Sequence, residues 1–97
     1  MRREDFVFCI GYEGSAAIVD GRLRAGYGGH STGQLAEAGL YKQAICSAYW
    51  SKKPEELDEI LQIYNSRTEN PVSSVAELSR IYGISGIPQG VMKVTVI

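Results

Sequence analysis

The distribution of apolar and polar residues along the chain predicts strands near the N-terminus. Residues 5–11 are apolar at nearly every position, which is typical of a central strand covered on both faces. Residues 16–19 and 22–25 flank Asp20-Gly21. That pair favours the two-residue turn of a β-hairpin, because both of its positions need positive φ. The pattern therefore predicts three consecutive strands.

The predicted turn at Asp20-Gly21 also fixes which side chains share a face of the hairpin. Cross-strand partners lie on the same face, so Arg22 and Arg24 would stand together on the outer face. The inner face would hold four apolar residues, namely Ala16, Ile18, Leu23 and Ala25. An outer face that is half polar and carries arginines is typical of a modest protein interface.

Helical spacing dominates the middle of the chain. The first predicted helix runs from Ser31 to about residue 50 and opens with a capping box of Ser31 and Gln34. A second helix begins at Pro54, which is well suited to the first helical position. A third helix opens at Ser74 and ends near Gly83, which favours a C-terminal cap.

A final strand and the order of the elements complete the expected fold. Residues 91–97 have the β-branched content of a strand. The order βββαααβ predicts one α+β domain over residues 1–97. In it, a three-stranded meander and the C-terminal strand form a mostly antiparallel sheet that three helices cover.

Composition and charge exclude several classes of protein. The net charge is −1, which gives no overall attraction for nucleic acid or anionic lipid. The apolar run at residues 6–10 is too short for a signal sequence or a membrane span. Cys9 and Cys46 form no Cys-x-x-Cys pair, and His30 is the single histidine. We therefore expect a cytoplasmic location with reduced thiols, without a metal or a cofactor.

The glycine-rich segment 26–33 is the strongest candidate for a ligand-binding site. A strand that leads through glycines into a helix presents free N–H groups to an anion. Gly28 and Gly33 have the outer spacing of a nucleotide P-loop, but Gln34 stands where that loop needs lysine. A nucleotide P-loop is thus excluded and a simpler anion site remains. Its candidate residues are Gly28, Gly29, His30, Ser31 and Thr32.

Aromatic residues suggest a protein interface instead. The chain has six tyrosines, two phenylalanines and one tryptophan. Tyr49 and Trp50 close the first predicted helix, and exposed Tyr and Trp are typical interface anchors. Together with Arg22 and Arg24 they are the candidate interface residues. Cys46 lies among apolar residues in mid-helix, where a thiol is usually inert, and no catalytic motif is complete.

Two hypotheses of function follow. The first is a small non-enzymatic binding or regulatory module that acts through protein–protein contacts and self-associates as a homodimer. The second is a small-molecule or anion-binding domain that uses the segment 26–33. Neither hypothesis involves nucleic acid, a membrane or a cofactor.

Overall fold

The computed structural model describes residues 1–97 as six helices and a three-stranded sheet. The strands are β1 (Cys9–Glu13), β2 (Ala16–Val19) and β3 (Lys93–Val96). The helices are α1 (Arg3–Val7), α2 (Gly21–Tyr27), α3 (Thr32–Glu37), α4 (Tyr41–Ser51), α5 (Pro54–Arg67) and α6 (Val75–Ile81). In the sheet, β1 pairs with β2 antiparallel, and β3 pairs with the other side of β2 in parallel.

The molecule is α+β, but the predicted arrangement is wrong. The sheet is mixed rather than mostly antiparallel, and it has three strands rather than four. The order along the chain is αββαααααβ rather than βββαααβ. Two local misinterpretations at the N-terminus and one in the first long helix account for the difference.

The first misinterpretation concerns residues 5–11, where a helical turn precedes the strand. The Asp5 carboxylate accepts a hydrogen bond from the Arg2 N–H at 3.0 Å, which stabilises the start of α1. Phe6, Val7 and Phe8 are all buried in the core. A short apolar run suits a buried helical turn as well as a buried strand, so the pattern alone does not separate the two.

The second misinterpretation concerns Asp20-Gly21, which opens a helix rather than closing a hairpin. The Asp20 carboxylate accepts hydrogen bonds from the N–H groups of Arg22 and Leu23, each at 3.0 Å. Asp is among the preferred N-cap residues because its carboxylate satisfies these free donors. The predicted strand at 22–25 and its register are therefore wrong. The hairpin instead joins β1 to β2 through Gly14-Ser15, where Gly14 has a φ of 60°.

The third misinterpretation concerns the predicted helix over residues 31–50, which is divided at Gly39. The N–H of Leu40 bonds to the Leu35 carbonyl and the N–H of Gly39 to the Ala36 carbonyl, each at 2.9 Å. With a φ of 82° at Gly39, these are the two bonds of a Schellman motif. The helix therefore ends at Glu37, and a second helix begins at Tyr41.

Four predicted helix boundaries are confirmed. Ser31 and Gln34 form the capping box, with N–H to oxygen distances of 3.2 and 2.8 Å. Pro54 is the first residue of α5, and the Ser74 hydroxyl caps α6. Gly83 follows α6 with a φ of 69°. Each boundary depends on residues that lie close together in sequence.

The core forms around α4, which packs against α1, α3 and α5. Its buried face includes Ala44, Ile45 and Ala48. The two alanines are small enough to let neighbouring helices approach closely. The largest fully buried side chains around it include Phe8, Leu35, Ile60 and Leu78. None of the six helices has both the length and the apolar character needed to cross a membrane.

Gly21 is the point where α2 meets the end of β3, and it gives a test of the fold. A Cβ at this position would lie 2.7 Å from Val96 Cγ1 and 2.8 Å from the Ile97 carbonyl oxygen. That oxygen accepts the Gly21 N–H at 3.0 Å, so it cannot retreat without losing the bond. We expect Gly21→Ala to lower the free energy of unfolding by about 1–3 kcal/mol, measured by urea denaturation.

Gly26→Ala is the matched control because Gly26 lies in the same helix and a Cβ there meets no atom within 4 Å. We expect it to raise the free energy of unfolding by about 0.5–1 kcal/mol, because alanine favours a helix more than glycine does. An equal loss in both variants would contradict a specific contact between α2 and β3.

Candidate functional site

A cavity of about 370 Å³ opens beside the free edge of β1. One wall is the stretch Cys9–Tyr12, the facing wall is residues 82–88, and α4 contributes Lys42 and Cys46. We call it the edge cavity. Because β1 pairs only with β2, its other edge carries main-chain groups that have no strand partner. No residue of β2 lines the edge cavity, so the cavity lies on that free side.

The mouth of the edge cavity exposes large apolar side chains on both walls. On β1, Ile10 is 52% exposed and Tyr12 is 47% exposed. On the facing wall, Ile87 is 39% exposed, and Ile84 and Pro88 are half-buried. Clustered apolar side chains around a concavity are typical of a binding surface.

The wall opposite β1 also has unpaired main-chain groups. The Ile84 N–H bonds to the Ser79 carbonyl at 2.9 Å, and the next hydrogen bond along the chain joins the Met92 N–H to the Ser15 carbonyl at 2.8 Å. Between them, residues 85–91 make no hydrogen bond to the rest of the chain. Their N–H and C=O groups are left to solvent or to a binding partner.

Lys42 is the single charged residue that lines the edge cavity. Its side chain is half-buried, and none of the three ion pairs of the molecule includes it. No Asp or Glu lines the cavity. The cavity therefore has a net positive charge that nothing inside it neutralises.

Both thiols of the chain line the edge cavity, and both are free and buried. The Cys9 S–H donates to the Gly11 carbonyl at 3.0 Å. Burial raises the pKa of Cys46 from 9.0 to about 11, although the Lys42 charge acts in the opposite direction. Desolvation, followed by the neighbouring Cys9, raises the pKa of Tyr12 above its usual range. A thiol that stays protonated is a weak nucleophile, so Cys46 is poorly suited to covalent catalysis.

The raised pKa of Cys46 predicts slow alkylation in the folded protein. The higher pKa lowers the thiolate fraction near neutral pH, and this loss outweighs the greater nucleophilicity of a more basic thiolate, so iodoacetamide should modify Cys46 at least about 10-fold more slowly than in urea. Mass spectrometry of a time course measures both rates. Modification of the folded protein at the unfolded rate would contradict a buried, protonated thiol.

The same shift has a consequence for stability at high pH. The unfolded chain loses the Cys46 proton first, so the stabilisation from this group is complete below pH 9 and falls as the pH rises to about 11. In Cys46→Ala this part of the pH dependence should disappear.

The five residues predicted as an anion site do line one open groove, which we call the loop groove. They are Gly28, Gly29, His30, Ser31 and Thr32. The segment follows α2 rather than a strand, however, so the predicted strand-to-helix connection is wrong. Arg3, Ser47 and Glu56 also line the groove, and they come from α1, α4 and α5.

Hydrogen bonds within the loop groove occupy the groups that an anion would use. The Arg3 guanidinium donates to the carbonyls of Gly28 and His30 at 3.2 and 2.7 Å, and to the Ser47 hydroxyl at 2.9 Å. The loop therefore turns carbonyl oxygens toward Arg3. The Arg3 side chain fixes the loop, and both of its terminal nitrogens already donate to groups of the chain.

The start of α3 is partly occupied as well. The Ser31 hydroxyl and the Gln34 side-chain oxygen accept the N–H groups of Gln34 and Ser31, which are two of the free donors there. The Thr32 hydroxyl donates to the Glu56 carboxylate at 3.2 Å, which brings a negative charge into the groove. Both features oppose the binding of a second anion.

The predicted interface residues are largely engaged within the chain. Arg24 pairs with Asp5 at 2.7 Å, and Arg22 lies two positions away on the same helix. Residues two apart on a helix point to different faces, so the predicted shared arginine face does not form. The Tyr49 hydroxyl bonds to Ser79 at 3.1 Å, and the Trp50 ring lies 6.0 Å from that of Phe6.

The residues of the edge cavity were missed by the sequence analysis. Cys9–Tyr12, Lys42 and residues 82–88 are far apart along the chain and form no motif. One signal was present, because Ile84 and Ile87 are large apolar residues in a segment otherwise typical of a loop. Apolar side chains in such a segment need a surface to cover.

Comparison with protein-family models, with curated proteins and with solved structures gives no significant match for this chain. Its function therefore has to be inferred from the geometry and chemistry of its own surface.

Proposed function

We propose that this chain is a small non-enzymatic binding module that acts through protein–protein contacts, with the edge cavity as its main binding surface. One observation carries the proposal. The free edge of β1 and residues 85–88, the first part of the unbonded stretch 85–91, contribute to facing walls of an apolar concavity. β1 has a strand partner on one edge only, and residues 85–91 make no main-chain hydrogen bond within the chain.

An extended polypeptide segment would satisfy both walls. As an added strand next to β1, its main chain would form hydrogen bonds with the free edge. Its alternate side chains would point into the cavity, because successive residues of a strand face opposite sides. The volume of about 370 Å³ is sufficient for a few side chains. The protonated Cys46 thiol supports binding rather than reaction at this surface.

The alternative function, anion or small-molecule binding at residues 26–33, has less support. Both terminal nitrogens of Arg3 already donate to groups of the chain, and Glu56 repels an anion at the same place. The proposal also includes a cytoplasmic location. It is supported by the two free thiols, which persist most readily in a reducing compartment.

A charge at the mouth of the edge cavity tests the binding surface. Peptides are first selected from a random heptapeptide library displayed on phage, and the affinity of a selected peptide is measured by isothermal titration calorimetry. Because a carboxylate would be buried against apolar side chains, we expect Ile10→Glu to weaken binding by about 10-fold or more.

Ile81→Glu is the matched control for that experiment. Ile81 is 56% exposed, close to the 52% of Ile10, but it lies on α6 and does not line the edge cavity. We expect its affinity to equal that of the unmodified chain. Slower exchange of the Tyr12 amide in the complex would confirm strand addition, because Tyr12 lies opposite Ala17 at a position that is not hydrogen-bonded to β2. Equal losses in both variants, or selection that enriches no peptide, would argue against the proposal.

Self-association is the second part of the proposal, and its surface is the other edge of the sheet. β3 lies at that edge, and the chain around it exposes Met92 (85%), Val96 (46%) and Ile97 (70%). An exposed apolar edge strand is a template for pairing with a second copy.

We expect sedimentation velocity to show a dimer that forms with increasing protein concentration. Ile97→Lys should shift the chain toward the monomer, because an edge lysine disfavours strand pairing. Ile81→Lys, at another exposed isoleucine, should leave the distribution unchanged. If the chain stays a monomer at high concentration, self-association is contradicted, whereas the proposed role of the edge cavity is not.

A further inference from the structure

We infer that the polypeptide segment bound in the edge cavity carries one carboxylate, which forms an ion pair with Lys42. The inference rests on the proposed function and adds the chemical class of the partner. Its basis is the unbalanced charge of the cavity, where Lys42 is the single charged residue and no acidic side chain lies on any wall.

A partner that covers Lys42 has to supply an anion. The side chain is already half-buried, and it makes no ion pair within the chain. Covering an ammonium group without a partner charge is strongly unfavourable, because the group loses its water and gains nothing in return. A segment with a carboxylate beside Lys42 offsets this cost, whereas an entirely apolar segment does not.

The position of Lys42 at the start of α4 adds to the same preference. α4 begins at Tyr41, and Leu40, the residue before it, provides no side-chain cap. The first turn contains no acidic residue. The positive end of the helix dipole is therefore not compensated, and it favours an anion near Lys42.

The number of charges favours a carboxylate over a phosphate group. Phosphorylated segments carry nearly two negative charges and are generally held by clusters of arginine. The edge cavity offers one lysine and no arginine. Around Lys42 the walls are apolar, with Ile10, Ile84 and Ile87 at the mouth or on the walls. The partner is thus an extended apolar segment with a single carboxylate, from Asp, Glu or a chain terminus.

Selection of displayed peptides against charge variants tests the inference. Random heptapeptides fused to the phage coat protein at their C-terminus have no free carboxyl end, so a carboxylate can come only from Asp or Glu. We expect the unmodified chain to enrich peptides with one acidic residue among apolar ones. Lys42→Glu should enrich Lys or Arg at that position instead. Lys53→Glu, at an exposed lysine outside the cavity, should select the same peptides as the unmodified chain.

Synthetic peptides then identify the source of the carboxylate. Replacement of the selected acidic residue by Gln, in a peptide with an amidated C-terminus, should weaken binding to the unmodified chain by about 10-fold. Restoration of affinity by a free C-terminus on the Gln peptide would assign the site to a chain terminus. Lys42→Met, which keeps the long side chain and is checked for folding by circular dichroism, should bind the acidic and Gln peptides equally.

The remaining outcomes distinguish the failure of this inference from the failure of the proposed binding function. Enriched peptides without an acidic preference, or the same acidic preference in Lys42→Glu, would overturn the inference and leave the binding module standing. Enrichment of no peptide would overturn the proposed function, and the inference with it. If decanoate, which has a carboxylate but no peptide groups, bound more tightly than the selected peptides, a polypeptide would be overturned as the occupant.

Discussion

The parallel pairing of β3 with β2 determines which surface of this molecule is free to bind. It is fixed by main-chain hydrogen bonds at both ends of the strand, from Met92 to Ser15 and from Ile97 to Val19. The close approach of Gly21 to the Ile97 carbonyl adds a third bond. Because β2 then has a partner on each side, β1 stays at the edge of the sheet. Residues 82–92 connect α6 to β3, and the first part of this stretch forms the wall opposite β1.

The sequence predicted the parts of the fold that depend on neighbouring residues. Ser31, Pro54, Ser74 and Gly83 mark helix ends correctly, because capping joins groups a few residues apart. Asp20-Gly21 is different, because Asp suits a tight turn and a helix N-cap equally well. The outcome depends on whether residues 22–25 find a strand partner, and β2 is already paired on both sides. That information lies in the tertiary structure.

Even less of the candidate site than of the fold could be predicted from the sequence, for a related reason. The glycine-rich segment was a strong local signal, yet the side chain that determines its role is Arg3, which lies 25 and 27 residues away from the carbonyls it binds. The edge cavity had no local signal beyond apolar residues in a loop. Lys42 is an ordinary helical lysine in the sequence, and the role proposed for it depends on a cavity that no acidic side chain lines. A missing interaction of this kind cannot be deduced from residue spacing.

In the proposed binding module, the unsatisfied groups around the edge cavity would provide selectivity as well as affinity. A partner that covers the free edge of β1 without pairing its N–H and C=O groups loses the hydrogen bonds that these groups make with water. A partner that covers Lys42 without supplying an anion loses still more binding free energy, because a charged group is removed from water and left unpaired. Apolar contact with Ile10 and Ile87 is available to almost any hydrophobic segment, so it discriminates weakly between partners. Discrimination between partners would therefore come from the polar groups that the fold leaves unpaired. A segment that buries these groups without pairing them binds with lower affinity than one that pairs them.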